Sequence, residues 1–267
     1  MKKYAIVFLG DWNKARINAV FKIVDQYPGF QGLENISCNG PDFETVVANR
    51  LKEYYDQDIE PIIMKGCNIH TEDYIRPIIK YYKNNHPKEK FFLTHCACFD
   101  DFILTDGALL TKYTKENIES VIKNAIELKN KLDKVYINYR LSDSIALLNA
   151  GGDTNPNTAP EGWMDIYNDL KNKYKLEMTQ FDVATNASIR REKLNKYNSL
   201  DISSIIIPSS INEGNSIWKV LTTISKQSLA GIVVGIPMYI GLTSRTDTEE
   251  SITKTLDYLL KMYTNKE

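Results

Sequence analysis

Two short apolar runs near the C-terminus constrain the fold of this chain most strongly. They cover residues 232–235 and 238–243, and Pro237 stands between them. Apolar runs of this length that are bounded by glycine and proline predict two buried strands. The second run ends in Thr243-Ser244-Arg245, so these three polar residues are expected at a strand end.

The residues at this strand end suit an anion. Ser and Thr donate hydrogen bonds, and the planar guanidinium of Arg245 can bind two phosphate oxygens at once. A polar helix start follows at 246–251, with Thr246 or Thr248 available as N-cap. The positive end of that helix would strengthen anion binding. The alternative is an ordinary solvated corner, which a Ser-Arg pair at a strand end also forms.

An earlier segment, residues 205–219, has a related pattern. A buried strand is followed by a polar turn and then by a helix that carries Glu213, Asn215 and Lys219 near its start. The two segments together supply hydroxyl, amide and cationic groups after apolar runs. This arrangement favours a ligand site over two unrelated loops.

The combined motifs resemble those of the phosphate acetyl/butyryl transferases. The C-terminal motifs are Glu213-Gly-Asn-x-x-x-Lys219, Ala230-Gly-Ile-Val-Val-Gly235 and Leu242-Thr-Ser-Arg-x-Asp247. Met64-Lys-Gly66 with His70-Thr-x-Asp-x-x-Arg76-Pro77 resembles the first-domain motif of the family, and Thr94-His95 with Leu104-Thr-Asp106 resembles its central hairpin. The similarity covers about residues 62–132 and 203 to the end.

The resemblance implies a fold and a domain division. We expect an α/β protein with two α/β/α domains and an interdomain cleft, similar to the isocitrate/isopropylmalate dehydrogenase-like fold of the phosphate acyltransferases. The first domain is expected to comprise residues 1–133 and about 236–267, and the second residues 134–235. A strand, turn and helix over residues 4–26 agree with this class, since apolar residues recur there at helical spacing.

The resemblance also implies an activity and a set of site residues. The reaction is acyl-CoA plus phosphate giving acyl phosphate plus CoA, with a short acyl chain such as butyryl or acetyl. We expect catalytic roles for Arg245, Ser244 and Arg76, and substrate binding by Lys65, Thr243, Asn215, Lys219 and Glu213. The family implies a homodimer, with coenzyme A entering as the thioester substrate and with no metal or separate cofactor.

Several of these residues also have simpler interpretations. Lys65 precedes a turn glycine and is equally typical of a surface lysine, and Arg76 is spaced to pair with Glu72 on one helix face. Asp106 suits an Asx-type turn. The family places its general base near Ser251; Asp247, Glu249 or Glu250 could substitute for it.

One segment departs from the family pattern. Residues 182–188 read Asp-Val-Ala-Thr-Asn-Ala-Ser, where the family continues through a Gly-Pro loop to Asp-Asn-Ala. This difference leaves open a catalytically impaired member that binds CoA or phosphate. A dehydrogenase of the same fold is a further alternative, but it would need a metal-binding aspartate cluster and a nucleotide loop, and no Gly-x-Gly-x-x-Gly or P-loop motif is present.

Composition and net charge limit the classes of partner and the cellular setting that are expected for this chain. The net charge is −1 and no basic stripe occurs, so neither nucleic acid nor an anionic membrane is an expected partner. The four cysteines have no disulfide-like or zinc-like spacing, which indicates a reducing, cytoplasmic setting. The N-terminal apolar run is too short for a signal peptide h-region and predicts a strand.

Overall fold

The computed structural model describes residues 2–136, 141–151, 158–186 and 203–265. The chain divides into two compact units, one made of Met1–Phe91 with Ser228–Glu267 and the other of Phe92–Gln227. The mixed α/β class is confirmed. The predicted division at residues 133 and 235 differs from the observed one at residues 91 and 227.

The described helices and strands alternate along most of the chain. In order they are β1 Lys3–Leu9, α1 Lys14–Ile23, β2 Phe30–Ile36, α2 Phe43–Asp56, β3 Ile59–Lys65, α3 Thr71–Asn85, β4 Thr94–Cys98, β5 Ile103–Leu104, α4 Lys115–Val135, β6 Ile145–Leu148, α5 Trp163–Leu170, β7 Leu176–Thr179, α6 Phe181–Thr185, β8 Ile205–Ile207, α7 Ile211–Lys219, β9 Ala230–Val234, β10 Tyr239–Gly241 and α8 Glu249–Thr264. A 3₁₀ turn at Val24–Gln26 extends α1, and a π-helical segment at Val220–Ile224 extends α7.

The first unit has five strands in the order β2-β1-β3-β10-β9. All neighbouring strands are parallel except β10 and β9, which are antiparallel. Helix α1 packs against α8, and α2 packs against α3. Consecutive residues of β1 from Tyr4 to Leu9 are all buried. Because they point alternately to opposite faces, both faces of this sheet are covered.

The described residues of the second unit also form five strands, in the order β4-β5-β8-β6-β7. Strands β4 and β5 form an antiparallel hairpin, and the remaining pairs are parallel. Helix α4 packs on β4 and β8 with a buried stripe that runs from Ile118 to Leu132. Its N-cap is Thr114, whose hydroxyl accepts the N–H of Asn117.

Non-local pairing explains the shifted domain boundary. Residues 92–133 belong to the second unit because β5 pairs with β8 and α4 packs on β8. Residues 228–235 belong to the first unit because β9 pairs with β10. A sequence pattern shows the strands but does not show which strands pair.

Two local predictions also differ from the structure. The sequence predicts a loop over residues 28–41, whereas β2 pairs with β1 along Phe30–Ile36. This edge strand is half-exposed, so it lacks the apolar pattern of a buried strand. The sequence predicts a strand up to Phe181, whereas β7 ends at Thr179 and α6 begins at Phe181.

Candidate functional site

The predicted anion-binding residues of the first unit lie where parallel strands end. Strands β1, β3 and β10 run in the same direction, and Leu9 pairs with Lys65 at the end of the first two. Loops that follow the carboxyl ends of parallel strands meet at one edge of a sheet, where ligands of α/β proteins bind. The loop after β10 carries Thr243, Ser244 and Arg245 to this edge.

Two glycines let the loops after β1 and β3 touch. A Cβ at Gly66 would lie 2.6 Å from the carbonyl oxygen of Gly10 and 2.7 Å from that of Asp11, so a side chain does not fit there. Asn68 then bonds the same loop, because its Oδ1 accepts the N–H of Asp11 at 2.6 Å and its Nδ2 donates to Asp11 Oδ2 at 2.7 Å. The edge is therefore fixed by backbone contact.

Thr243 and Lys65 connect β10 to β3. Both residues are buried, and the hydroxyl of Thr243 donates to the carbonyl oxygen of Lys65 at 3.2 Å. The structure thus brings these two predicted substrate-binding residues together. The hydroxyl of Thr243 is engaged by backbone in this state, which gives it a part in holding the loop.

Asp247 holds the Ser-Arg loop, which we define as residues 243–247. Its Oδ2 accepts the N–H of Ser244 at 2.6 Å, and its own N–H donates to the carbonyl oxygen of Ser244 at 3.3 Å. The hydroxyl of Ser244 lies 3.3 Å from that of Thr246. This reciprocal bonding closes a tight turn and is typical of an Asx-type structure.

The side chain of Arg245 extends from the Ser-Arg loop into solvent. Its side chain is exposed, and its Nη2 lies 3.2 Å from Nδ1 of His70, the residue that precedes α3. His70 belongs to the same sequence motif as Arg76. A guanidinium that is exposed and held at one corner can still offer its other N–H groups to an anion.

Arg76 adopts the simpler of the two arrangements that its sequence allows. It lies on α3, is exposed, and forms ion pairs with Glu72 at 2.9 Å and with Asp73 at 3.3 Å. Together with His70, Lys80 and Glu44 it lines a pocket of about 390 Å³. Arg76 is therefore accessible to a ligand that enters this pocket, although acidic groups surround it.

Arg16 is a residue of this edge that the sequence analysis missed. It lies on α1, is fully buried, and donates from Nε to the carbonyl oxygen of Lys65 at 3.2 Å and from Nη2 to that of Ser244 at 3.1 Å. Burial lowers the pKa of Arg16 from its ordinary value, while the neighbouring Cys67 and Asp247 act in the opposite direction. No local motif distinguishes it from a surface arginine.

Three of the positions considered for a general base, Ser251, Glu249 and Glu250, lie in the first turn of α8. Ser251 is buried, and its hydroxyl accepts the N–H of Leu229. Glu249 pairs with Lys22 and Asn18, and the hydrogen bond from Lys22 is the main cause that lowers the pKa of Glu249. Glu250 is exposed in the first turn of α8.

The second unit contains the predicted Asp106 turn. The buried carboxylate accepts backbone N–H groups from His95 at 2.7 Å, Ala108 at 2.8 Å and Leu109 at 2.6 Å. Burial raises the pKa of Asp106, while these hydrogen bonds act in the opposite direction. Asp106 therefore holds its loop, as the Asx-type interpretation predicts.

Glu213 and Asn215 also contact backbone. Oε2 of Glu213 accepts the N–H of Ser209 at 2.6 Å, and the hydroxyl of Ser210 caps α7 by accepting the N–H of Glu213. Asn215 donates from Nδ2 to the carbonyl oxygen of Gly107 at 3.2 Å. These bonds join the start of α7 to the Asp106 turn.

Lys219 lies at the end of α7 beside the ring of Trp218, which in turn contacts His95. Its Nζ is 4.8 Å from the ring centroid of Trp218, and the rings of Trp218 and His95 are 4.7 Å apart. His95 is buried, and burial together with the charge of Lys219 lowers its pKa to about 3. The imidazole is therefore neutral at physiological pH.

A second pocket, of about 330 Å³, lies at strand ends of the second unit. It is lined by residues after β6 and β7, among them Asn149, Gln180 and Asp182, and by Glu213. The divergent segment starts here, but its last two residues, Ala187 and Ser188, lie outside the described residues. Among the described residues, no group of three or more His, Cys, Asp or Glu side chains is arranged to hold a metal.

The described part of the chain contains no helix with both the length and the apolar character that a membrane span requires.

No protein-family model matches the sequence. The resemblance found in the motifs is nevertheless confirmed by comparison with curated proteins. The probable phosphate butyryltransferase of Bacillus subtilis (strain 168) is 22% identical over 225 residues, which cover 82% of this chain and 73% of that protein. The phosphate acetyltransferase of Rickettsia typhi is 25% identical over 249 residues, covering 90% and 68%.

Solved structures show the same fold. The branched-chain phosphotransacylase from Enterococcus faecalis V583 superposes with a TM-score of 0.76 at 20% identity, over 97% of this chain and 98% of that one. A phosphotransacetylase from Streptococcus pyogenes gives 0.59 at 16% identity, over 99% and 95%. The 4-hydroxythreonine-4-phosphate dehydrogenase from Klebsiella pneumoniae gives 0.57 at 8% identity, over 97% and 99%.

Proposed function

We propose that this chain, a relative of the phosphate acetyl- and butyryltransferases, is a phosphate acyltransferase that interconverts acyl-CoA and phosphate with acyl phosphate and CoA. The observation that carries the proposal is the Ser-Arg loop. It lies at the carboxyl ends of parallel strands, it contains the family motif, and it presents an exposed arginine on a loop fixed by Thr243 and Asp247.

Arg245 is the proposed phosphate clamp. Its guanidinium can bind two phosphate oxygens and can stabilise the charge that develops on the thioester carbonyl during attack. The hydroxyl of Ser244 is the second proposed donor; it lies 3.3 Å from the hydroxyl of Thr246 and accepts the N–H of Thr246 at 3.5 Å. Thr243 supports both by its bond to Lys65.

Arg76 and Lys65 are proposed to supply positive charge. Arg76 lines the pocket of about 390 Å³ and is exposed there, so the phosphates of CoA can compete with its acidic partners. Exposed ion pairs of this kind are weak, and an anion of higher charge can therefore replace them. Lys65 lies at the end of β3 beside the Ser-Arg loop.

Three residues of the second unit, taken by itself, are also proposed to contribute to substrate binding. Lys219 supplies a further positive charge, and Glu213 and Asn215 hold the start of α7 and the Asp106 turn in shape. Their proposed contribution to substrate binding is thus through the loop that they fix.

The reaction balances without a separate cofactor. An oxygen of HPO₄²⁻ attacks the thioester carbonyl, a C–O bond forms, and the C–S bond breaks as CoA leaves as a thiolate. The phosphate loses one proton and the thiolate takes up one proton. The products are therefore acyl phosphate and CoA thiol. Arg245 lowers the barrier by stabilising the developing negative charge.

The length of the acyl chain, the oligomeric state and the cellular location are also proposals. We infer a short acyl chain, with acetyl, butyryl and branched chains as candidates, because the similar proteins carry those names. We further propose that the protein works as a homodimer, as the resemblance implies, and in the cytoplasm, as the spacing of its cysteines indicates.

Neither alternative gains support. The similar proteins are named as enzymes, which does not favour a catalytically impaired binding protein. The dehydrogenase alternative rests on fold likeness alone at 8% identity. It also requires metal-binding carboxylates, and the described residues contain no such group.

The proposal is tested by following free CoA thiol in the purified protein. The substrates are acetyl-, propionyl-, butyryl- and isobutyryl-CoA, each with and without inorganic phosphate. We expect thiol release that requires phosphate and differs in rate among the acyl chains. Folded protein that releases no thiol from any of the four would overturn the assignment.

A further inference from the structure

Arg16 has more contacts to the proposed site than a structural side chain of helix α1 requires. Its guanidinium donates to the carbonyl oxygen of Lys65 at 3.2 Å, to that of Ser244 at 3.1 Å and to Oδ1 of Asn13 at 3.4 Å. The first two acceptors belong to residues at the ends of β3 and β10. A single cation therefore joins the two strand ends that carry the proposed phosphate ligands.

Burying this charge is energetically costly. Arg16 has no exposed surface, and a guanidinium stays protonated in proteins, so the folded state carries a desolvated positive charge. Neutral donors could satisfy the same carbonyl oxygens at a lower cost. The opposite charge of Asp247 offsets part of this cost, since Asp247 acts on Arg16 electrostatically.

Arg16 and Asp247 hold the same residue from both sides. Asp247 accepts the N–H of Ser244 at 2.6 Å, and Arg16 donates to its carbonyl oxygen. The two peptide groups that flank Ser244 are thus both fixed by charged side chains. Hydrogen bonds with one ionised partner are shorter and about twice as strong as neutral ones.

The orientation of one peptide group has a direct consequence for Arg245. In a trans peptide the N–H points opposite to the carbonyl group. With the carbonyl of Ser244 turned toward buried Arg16, the N–H of Arg245 points away from α1. The same hydrogen bond, from Arg16 to the carbonyl oxygen of Ser244, sets the direction in which the Arg245 side chain leaves the backbone.

We infer that Arg16 is a positioning residue of the phosphate site, which orients Ser244 and Arg245 through the carbonyl group of Ser244. The inference rests on the proposed function. Arg16 is buried, so it acts through the loop and does not itself contact the substrate. Loss of the bond would leave the Ser-Arg loop folded but misplaced, and displacements of about 1 Å cost about 10²-fold in rate.

The test uses three variants of the full chain. Arg16→Lys keeps the charge but can reach only one carbonyl group well, and Arg16→Met keeps the apolar length and removes every donor. Val20→Ala is the matched control, because Val20 is fully buried on the same helix. Its truncation removes buried methyl groups and lowers stability, and it leaves the guanidinium of Arg16 in place.

Steady-state kinetics at a temperature where all variants are folded separate positioning from stability. We expect Arg16→Lys and Arg16→Met to lower kcat about 10²-fold and to raise the KM for phosphate about tenfold, with the KM for acyl-CoA within about threefold of wild type. Val20→Ala is expected to keep wild-type kinetics. Partial unfolding would lower the rate and leave every KM unchanged.

Two outcomes overturn different statements. If the wild type releases CoA thiol and folded Arg16→Lys keeps its kcat and its KM for phosphate, the positioning role is contradicted while the proposed function stands. If the folded wild type releases no CoA thiol with phosphate, the proposed function fails and the role of Arg16 in it fails as well. If Arg16→Met does not fold, the decision rests on Arg16→Lys.

Discussion

Nη2 of Arg245 lies 3.2 Å from Nδ1 of His70, so a residue after β10 and the residue before α3 meet at the edge of the first unit. The two residues are 175 positions apart in the sequence and belong to separate motifs. The contact links the Ser-Arg loop to the wall of the pocket that contains Arg76, because His70 lines that pocket.

Removal of the His70 side chain tests this contact. His70→Ala should raise the KM for phosphate about threefold, because an exposed polar pair contributes about 0–1 kcal/mol. His86→Ala, which removes a histidine at the other end of α3, should leave the KM unchanged. Phosphate titrations of both variants give the answer, and equal KM values would show that His70 does not orient Arg245.

Gly66 is predicted to tolerate no side chain. Gly66→Ala would place a Cβ 2.6 Å from the carbonyl oxygen of Gly10 and push the loops after β1 and β3 apart. We expect a loss of about 1–3 kcal/mol in unfolding free energy and a lower rate of CoA release. Gly32→Ala is the control, since a Cβ there meets no atom within 4 Å. Urea titration and the thiol assay measure both effects; a Gly66→Ala protein as stable and active as Gly32→Ala would contradict the close approach.

Asp106 should be important for the stability of the second unit. Asp106→Asn replaces one carboxylate oxygen by an amide nitrogen, which cannot accept the backbone N–H groups that now bind there. The expected loss is about 1–3 kcal/mol, the cost of leaving a buried donor without a partner. Urea unfolding measures it, with exposed Asp101→Asn as the control. Equal midpoints for the two variants would show that the turn does not depend on the carboxylate.

His95 should make stability depend on pH. Its pKa is lowered to about 3 in the folded protein, while that of an unfolded histidine is about 6.5. The unfolded state therefore binds a proton more readily, and stability falls as the pH drops below about 6.5. Between pH 7 and pH 5 the loss amounts to about 2 kcal/mol for one such group.

Replacement of the imidazole isolates this contribution. His95→Phe retains an aromatic ring against Trp218 and removes the titrating group. Its unfolding free energy should change less between pH 7 and pH 5 than that of the wild type, by about 2 kcal/mol. Parallel curves for the two proteins would show that His95 does not titrate in the unfolding reaction.

The sequence was sufficient to predict much of the local structure. The strands β9 and β10, the placement of Ser244 and Arg245 after β10, and the Asp106 turn all depend on residues close together in the chain, where period and turn chemistry are informative. Edge strand β2 was not predicted, because a half-exposed strand lacks an apolar pattern.

The remaining features depend on contacts between distant residues. Arg16 was missed because a fully buried arginine has the same sequence context as an exposed one, and its acceptors lie 49 and 228 positions away. The hydrogen bond between Asp247 and the N–H of Ser244 and the pairing of Arg76 with Glu72 were both compatible with the sequence. Only the folded arrangement distinguishes these contacts from the catalytic alternatives.

The central claim is that Arg245 clamps phosphate during acyl transfer. The most direct measurement is phosphate-dependent release of CoA thiol by the wild type, Arg245→Lys and Arg245→Ala at a series of phosphate concentrations. We expect a phosphate-dependent rate in the wild type, a loss of about 10²–10³-fold in Arg245→Ala and an intermediate rate in Arg245→Lys, which keeps the charge but not the planar fork. A folded Arg245→Ala protein with the wild-type rate and KM for phosphate would contradict the account.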